Sequence, residues 1–215
     1  FAGYKLESVP VNHRYLTGEQ FAKLTGVELP TYRLCHARDL FVFSTFTGLG
    51  RADLANLTSE NIVTEPDGSR WIHIERQKTK AECHIKLLDI PSRIIDKYKG
   101  EGKDGKLFFV PATSSLCRSL KMIEEQCKLG CHLTFYMARH SFATLICLGN
   151  GVPIETISRM MGHSSIRTTQ IYAEITNQKV NRDLLRLADT TKNQYSLPDD
   201  KMTPRVYQCG RYNGW

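Results

Sequence analysis

The sequence predicts a mainly α-helical domain that contains one small antiparallel β-sheet, an α+β fold. Apolar residues recur at helical spacing through most of the chain, whereas two neighbouring segments between about residues 70 and 88 alternate apolar and polar residues. The chain has 215 residues, of which 41% are hydrophobic and 24% charged, and this balance is ordinary for a globular protein with a sizeable core.

The N-terminal part of the chain is predicted to be helical. Thr17 and Gln20 form a capping-box pattern, so a helix is expected to begin at about residue 18 and to end near Gly26. The apolar residues of segment 31–46 indicate a buried helix. The stretch "GLG" then breaks this helix, and a short helix follows in "RADLANL".

The predicted sheet follows turn signals at Pro66, Asp67 and Gly68. The segments "WIHIERQKT" and "CHIKLLDI" alternate with a period of two residues, which is typical of strands. We expect two antiparallel strands, with "KAE" as the turn between them.

After Pro91 the apolar residues return to helical spacing, and no internal domain boundary is predicted. The predicted helices span residues 92–99, 114–129, 134–149, 153–161, 164–175 and 177–189. One domain is therefore expected to cover residues 13–189. Residues 1–12 are interpreted as a linker from an upstream segment, and residues 190–215 as a polar C-terminal tail.

Charge and cysteine content narrow the class of function. The formal net charge of +7 favours a polyanionic partner. Seven scattered cysteines with no C-x-x-C pair disfavour a disulfide framework and a zinc site, and they indicate reduced thiols in the cytoplasm. No apolar run approaches 18 residues, so no membrane span is predicted.

Two segments, "FYMARHSFAT" and "GHSSIRTTQIYAEI", place polar side chains around helices that already have enough apolar residues for a core. Tyr136 and Arg139 are three residues apart and share a helix face, while His163 precedes a helix on which Thr168 and Tyr172 share a face. Arginine grips a phosphate with a planar fork of donors, tyrosine supplies a nucleophile, and histidine donates a hydrogen bond to an oxygen that gains charge. This set suits phosphoryl transfer onto tyrosine.

The motifs "ARHSFAT" and "MMGHSSIRTTQIYAEI" resemble those of the catalytic domain of the tyrosine recombinases, also called phage-type integrases. "FTGLGRADLANL" and "ERQKT" fall where the earlier motifs of that family belong, and the resemblance covers about residues 13–189. It implies site-specific cleavage and rejoining of double-stranded DNA through a 3′-phosphotyrosyl intermediate, without a metal or another cofactor. It also implies a homo-oligomer, a tetramer on DNA, and a separate upstream DNA-binding domain to which residues 1–12 would lead.

The resemblance implies a role for each matching residue. Tyr172 is expected to be the nucleophile, and Arg139 to hold the non-bridging oxygens of the phosphate. His163 matches the later histidine of the family's set. Lys78 matches the lysine that protonates the leaving 5′-oxygen.

Two positions depart from the family's pattern. Tyr136 stands where the family usually has a histidine, and its hydroxyl can still form a hydrogen bond. Gly50 stands where the family has its first arginine, with Arg51 one position later. Because Arg76 and Lys78 are two residues apart on a predicted strand, they are expected to face the same way. Arg76 is therefore the hypothetical replacement for the missing arginine, with Arg51 as the rival.

Other polar residues near the motifs receive different interpretations. Lys80 is an alternative to Lys78, because flexible lysines near a hairpin turn reach similar places. His140 lies about 100° around the helix from Arg139 and is expected to be a packed residue without a chemical role. The cations predicted to contact DNA are Arg51, Lys80 and Arg167.

Three other functions stay open at the level of sequence. A type IB topoisomerase would use the same tyrosyl step to relax DNA. The departures at Gly50 and Tyr136 would allow a catalytically impaired DNA-binding relative of a recombinase. A helical interaction module with no DNA role is the third, and it fits poorly with the basic charge.

Overall fold

The computed structural model describes residues 15–77, 79–172 and 184–189. The chain divides into two compact units, Phe1–Glu174 and Ile175–Trp215. Within the second unit residues 184–189 are described; they are helical and expose Leu184, Leu185 and Leu187. Lys78, the predicted linker 1–12, the predicted tail 190–215 and positions 177–183 of the last predicted helix lie outside the described residues.

The described part of the first unit consists mostly of helices with one small antiparallel sheet, so the predicted mainly α fold with an antiparallel sheet is confirmed. None of the described helices is long and apolar enough to span a membrane. The α-helices are α1 (Gly18–Gly26), α2 (Tyr32–Thr47), α3 (Arg51–Asn56), α4 (Asp89–Lys97), α5 (Thr113–Cys127), α6 (Phe135–Ser141), α7 (Ile154–Met161) and α8 (Ile166–Gln170). The strands are β1 (Ile62–Thr64), β2 (Arg70–Glu75) and β3 (Glu82–Lys86).

Helix α2 is the centre of the core. It buries residues all around its circumference, including Leu40, Phe41 and Phe43, and it packs against α4, α5 and α6. Buried residues on every side, polar Asp39 and Ser44 among them, place this helix in the protein interior. The C-terminal end of α2, capped by Gly48 in the left-handed conformation, therefore lies inside the unit and close to α6.

The cap at the start of α1 agrees with the sequence pattern. Thr17 Oγ1 accepts a hydrogen bond from the backbone N–H of Gln20 at 3.2 Å, and Gln20 Oε1 accepts from the backbone N–H of Thr17 at 2.9 Å. Both bonds satisfy N–H groups that a helix end leaves without an intrahelical partner. The predicted start of this helix is confirmed.

The sheet has three strands in the order β1-β2-β3, all antiparallel, where the sequence predicted two. Strand β1 has three residues and is too short to show a period-two pattern. The hairpin turn also differs from the prediction: β2 ends at Glu75, and the backbone N–H of Arg76 donates to the carbonyl of Ala81 at 2.9 Å. Arg76 therefore lies in the turn and not within a strand, so the strand-face argument for Arg76 and Lys78 rests on a wrong boundary.

The predicted helix 134–149 is a composite of three types. Helix α6 ends at Ser141, a π-helix spans Phe142–Cys147, and a 3₁₀ turn spans Leu148–Asn150. Apolar spacing in a sequence does not separate the hydrogen-bond patterns of α- and π-helices. Phe142 packs directly on Gly48, where a Cβ atom would lie 2.6 Å from the phenylalanine ring. Only glycine at the end of α2 allows this contact.

Candidate active site

The phenol of Tyr172 lies in the interior of the first unit. Its side chain follows α8 in a turn closed by a hydrogen bond from its backbone N–H to the carbonyl of Thr169 at 3.0 Å, and the residue is only 4% exposed. One face of the ring stacks parallel to His163, with centroids 6.2 Å apart and 8° between the planes. His140 makes an edge contact with the ring at 4.8 Å. Two imidazoles therefore hold the tyrosine.

Arg139 joins the end of α2, the end of α7 and His163. Its Nη1 donates to the carbonyl of Gly48, and its Nη2 donates to the carbonyl of Met161 at 2.8 Å and contacts Nε2 of His163 at 2.9 Å. Both carbonyls belong to helix C-termini, where such groups lack intrahelical partners and the helix dipole is negative. The guanidinium is thereby fixed by directed hydrogen bonds.

The contacts of His163 define its tautomer. A guanidinium can only donate, so Nε2 of His163 accepts from Arg139, and Nδ1–H donates to Oγ1 of Thr169 at 2.8 Å. Burial lowers the pKa of His163, and the positive charge of Arg76 lowers it further. In the free protein His163 is thus a neutral imidazole with both nitrogens engaged.

Arg76 is a buried cation on the other side of the same cluster. It is 5% exposed, and its Nη1 lies 3.2 Å from Oδ2 of Asp53. This ion pair is not a directed hydrogen bond, since Nη1 of Arg76 has no hydrogen-bond partner among the described residues. The positive charge of Arg76 acts on both neighbours: it adds to the lowering of the pKa of His163, and it partly opposes the rise in the pKa of Tyr172 that burial causes. Arg76 therefore brings a positive charge and an unused donor to the site.

Gly162 is the residue that lets these two sides meet. It caps the C-terminus of α7 with φ of +64°, and a Cβ atom there would lie 2.7 Å from Cγ of Arg76 and 2.6 Å from Sγ of Cys83. Its carbonyl accepts a hydrogen bond from Thr79 Oγ1 at 3.0 Å. The turn that carries His163 thus lies directly on the β2–β3 turn that carries Arg76.

Tyr136 stands at the solvent side of the tyrosine. It is 62% exposed, and its ring lies 4.5 Å from the ring of His140. Burial raises the pKa of Tyr172 above the ordinary value, and Tyr136 raises it further, against the opposing charge of Arg76. Tyr172 is therefore a protonated phenol in the free protein.

The remaining predicted residues make other contacts, are exposed, or lie outside the described part of the chain. Arg51 donates through Nη1 to the carbonyl of Pro111 at 3.3 Å. Lys80 lies in the hairpin turn and forms an exposed ion pair with Glu75 at 3.3 Å. Arg167 is exposed on α8. The predicted residues that the structure brings together are Arg76, Tyr136, Arg139, His163 and Tyr172.

Sequence reasoning missed two supporting residues, Asp53 and Thr169. It expected Thr168 to share a face with Tyr172, but α8 ends at Gln170 and turns, so Thr168 is exposed and Thr169 is fully buried against His163. Asp53 forms an ion pair with Arg76, which lies far from it in the sequence. No sequence pattern predicts a pair at that separation. Within the described residues no group of three or more His, Cys, Asp or Glu could hold a metal ion.

Comparisons with known proteins place this cluster in a family. The model of the family described as "Phage integrase family" matches residues 14–179. Tyrosine recombinase XerA of Saccharolobus solfataricus is 28% identical over 149 residues, which cover 69% of this chain and 49% of the relative. The chain thus spans about half the length of that curated relative.

Solved structures share the fold. The crystal structure of XerA recombinase has a TM-score of 0.63 at 18% identity, covering 86% of this chain and 66% of that one. XerH site-specific recombinase, bound to its difH substrate in a pre-cleavage complex, also gives a TM-score of 0.63, at 19% identity, with coverages of 80% and 54%. At these identities the likeness establishes the fold alone.

Proposed function

The chain belongs to the phage integrase family, and we propose that it cleaves and rejoins double-stranded DNA at specific sites through a 3′-phosphotyrosyl intermediate. The observation that supports this most is one cluster that links a buried tyrosine to an imidazole and two guanidinium groups. His163 stacks on Tyr172 and contacts Arg139, and the charge of Arg76 acts on both His163 and Tyr172. Such a set binds a phosphodiester and presents a nucleophile to it.

In the proposed reaction the Oη atom of Tyr172 attacks the scissile phosphorus. The Oη–P bond forms as the bond from phosphorus to the 5′-oxygen breaks, so the phosphodiester energy is kept in the tyrosyl link. The raised pKa of Tyr172 means that its proton leaves during attack and not before it. We assign protonation of the leaving 5′-oxygen to Lys78, with Lys80 as the alternative.

Arg139 and Arg76 are proposed to hold the non-bridging oxygens. Three contacts of Arg139, to Gly48, Met161 and His163, fix the plane of its guanidinium before DNA arrives. A donor fixed in advance costs no reorganisation when charge develops on the phosphate. Two of the five N–H groups of arginine are then left for the phosphate.

We further propose that Arg76 acts in place of the family arginine for which Gly50 has no side chain. Its support is threefold: Arg76 is buried, its charge acts on Tyr172 and His163, and its Nη1 has no hydrogen-bond partner among the described residues. Arg51, the rival, has its Nη1 bonded to the carbonyl of Pro111 instead.

His163 has two proposed tasks. In the free protein it accepts from Arg139 and so helps to orient that guanidinium. An anionic phosphate in the site would raise the pKa of His163, because a nearby negative charge favours imidazolium. Protonated His163 can then donate a hydrogen bond from Nε2 to the phosphate.

The proposed partner is double-stranded DNA, bound by a homo-oligomer that forms a tetramer on its substrate, in the cytoplasm. The net charge of +7 supports a polyanionic partner. The cysteines among the described residues are all free thiols, which fits a reducing compartment. Arg51, Lys80 and Arg167 are proposed as phosphate contacts outside the reacting centre.

Covalent capture on DNA tests the proposal. A pool of nicked duplexes with randomised inverted-repeat arms would be incubated with the chain and with Tyr172→Phe, and adducts would be separated on a denaturing gel. Loss of the short fragment beyond the nick traps the phosphotyrosyl link. We expect an adduct with the parent chain and none with the variant.

Two results would point elsewhere. Duplex binding without any adduct would favour the impaired DNA-binding relative, in which the departures at Gly50 and Tyr136 have removed catalysis. Relaxation of supercoiled plasmid without exchange between captured sites would favour topoisomerase activity.

A further inference from the structure

Thr169 is a fully buried residue that contacts both His163 and Tyr172. Its side-chain Oγ1 lies 2.8 Å from Nδ1 of His163, and its backbone carbonyl accepts a hydrogen bond from the backbone N–H of Tyr172 at 3.0 Å. The rings of His163 and Tyr172 are themselves stacked, with 8° between their planes. One residue therefore holds both members of the stacked pair through hydrogen bonds.

The contacts on the two sides of His163 allow one arrangement of its proton. A neutral imidazole has one N–H donor and one acceptor nitrogen. Nε2 lies 2.9 Å from Nη2 of Arg139, which can only donate, so a proton on Nε2 would set two donors against each other. A proton on Nδ1 instead finds an acceptor in the hydroxyl of Thr169. Without that hydroxyl the same proton would be buried without a partner, which is unfavourable.

We propose that Thr169 is a positioning residue for strand cleavage, which keeps the proton of neutral His163 on Nδ1 and so reserves Nε2 for the proton that His163 takes up when DNA binds. This inference rests on the proposed function, in which a bound phosphate favours the imidazolium. The added proton comes from solvent and binds the lone pair of Nε2. The new N–H then opposes the donor of Arg139, so it donates to the phosphate instead, while Arg139 keeps its bond to the carbonyl of Met161.

The hydroxyl and the backbone of Thr169 have separate tasks. Its carbonyl closes the turn that carries Tyr172, and a change of side chain leaves that carbonyl in place. Thr169→Val replaces the hydroxyl by a methyl group of similar size, so it removes the acceptor of His163 without opening a cavity. The substitution therefore acts on the imidazole and leaves the turn of the nucleophile in place.

Single-turnover adduct rates on a nicked duplex obtained by covalent capture test this role. Thr169→Val should lower the rate by about tenfold, because His163 keeps its ring and loses its fixed orientation; removal of a whole donor costs about 10²-fold or more. Thr169→Ser restores the hydroxyl and should recover most of the lost rate. Thr45→Val is the matched control and should retain the parental rate, because Thr45 is equally buried and its hydroxyl donates to the carbonyl of Phe41 within α2.

Nitrogen-15 NMR of the imidazole gives a readout that a loss of packing alone would not move. Protonated and bare ring nitrogens have distinct chemical shifts, and His163→Gln identifies the signals of His163. In the free parent protein at neutral pH we expect a protonated Nδ1 and a bare Nε2. Thr169→Val should add a population that is protonated on Nε2, whereas Thr169→Ser and Thr45→Val should keep the parental pattern.

Each adverse result has a distinct meaning. A bare Nδ1 in the parent, or a parental rate in Thr169→Val, would overturn the role of Thr169 and leave the proposed cleavage intact. If Thr169→Val does not fold, Thr169→Ser and Thr169→Ala repeat the comparison, since they differ from each other only in the hydroxyl; equal rates in that pair would also overturn the role. Absence of an adduct from both the parent and Thr45→Val would overturn the proposed cleavage itself.

Discussion

The two guanidinium groups of the site are held in opposite ways. Arg139 is fixed by directed hydrogen bonds to the ends of two helices and to His163. Arg76 is held by packing beneath Gly162 and by one ion pair with Asp53, with an Nη1 donor that has no hydrogen-bond partner among the described residues. Arg139 therefore helps to hold the fold together as well as to form the site, whereas Arg76 keeps a donor that a ligand could use.

The difference follows from the elements that carry them. Arg139 is on α6, which packs against α2, and it meets backbone carbonyls that would otherwise lack partners at helix ends. Arg76 is in a hairpin turn, where Asp53 is the acidic group that balances its charge. Buried ion pairs contribute little net stability, so the value of this pair lies in placing the cation.

The largest effect is expected when each arginine is changed to lysine. A single ammonium group cannot span the three acceptors of Arg139, so Arg139→Lys should lower adduct formation by about 10³-fold and also lower the melting temperature. Arg76→Lys keeps a charge beside Asp53, so it should lower adduct formation by about 10²-fold with little change in melting temperature. Equal losses of melting temperature would show that the two arginines are held alike.

The second prediction tests whether an arginine at position 50 can replace Arg76. Arg76→Gln should lower the rate of adduct formation by about 10²-fold, and the double variant with Gly50→Arg should be at least about tenfold faster than Arg76→Gln alone. A Cβ atom on Gly50 would lie 3.5 Å from Oδ2 of Asp53, and φ of −76° at this position suits any residue. Arg51→Ala is the control and should retain adduct formation. A loss in Arg51→Ala with none in Arg76→Gln would assign the role to Arg51.

The third prediction concerns the contact that brings the two sides together. Gly162→Ala combines a left-handed backbone with a Cβ atom 2.6 Å from Cys83 and 2.7 Å from Arg76, so it should cost about 1–3 kcal/mol of stability and about tenfold in adduct formation. Gly105→Ala is the matched control, with φ of +75° and open space around the added atom. Thermal melts of both variants separate backbone strain from displacement of Arg76. Equal effects on adduct formation would exclude the packing argument.

Patterns within a few neighbouring residues predicted most of the fold. Contacts between residues far apart in the sequence could not be predicted in this way. Thr17 and Gln20 mark a helix start within four residues, and the alternation in "CHIKLLDI" marks a strand. The pairing of Asp53 with Arg76, by contrast, depends on how α3 meets the hairpin, and the inward turn to Thr169 depends on where α8 stops. The motif residues could be named from sequence, whereas what holds each of them could not.

The smallest expected effect is a loss of protein stability at acid pH that arises from His163, the neutral imidazole beside Arg139. Burial and Arg76 lower the pKa of His163 below its unfolded value near 6.5, so the native state binds fewer protons than the unfolded state just below that pH. The contribution of neutral His163 to the free energy of unfolding is complete above about pH 6.5. It is lost as the pH falls through the lower pKa that His163 has in the native state. Since the site is partly open to solvent, the loss should stay below about 1 kcal/mol.

Melting temperatures at pH 7.5 and 5.5 measure this loss. We expect His163→Gln to melt with a smaller difference between the two pH values than the parent. Binding of a duplex obtained by covalent capture should also reduce the difference in melting temperature of the parent between the two pH values. A bound phosphate favours the protonated form of His163, which burial and Arg76 oppose. If DNA instead enlarged the difference, the imidazole would have to meet the phosphate as a neutral group, and the proposed donation from Nε2 would be wrong.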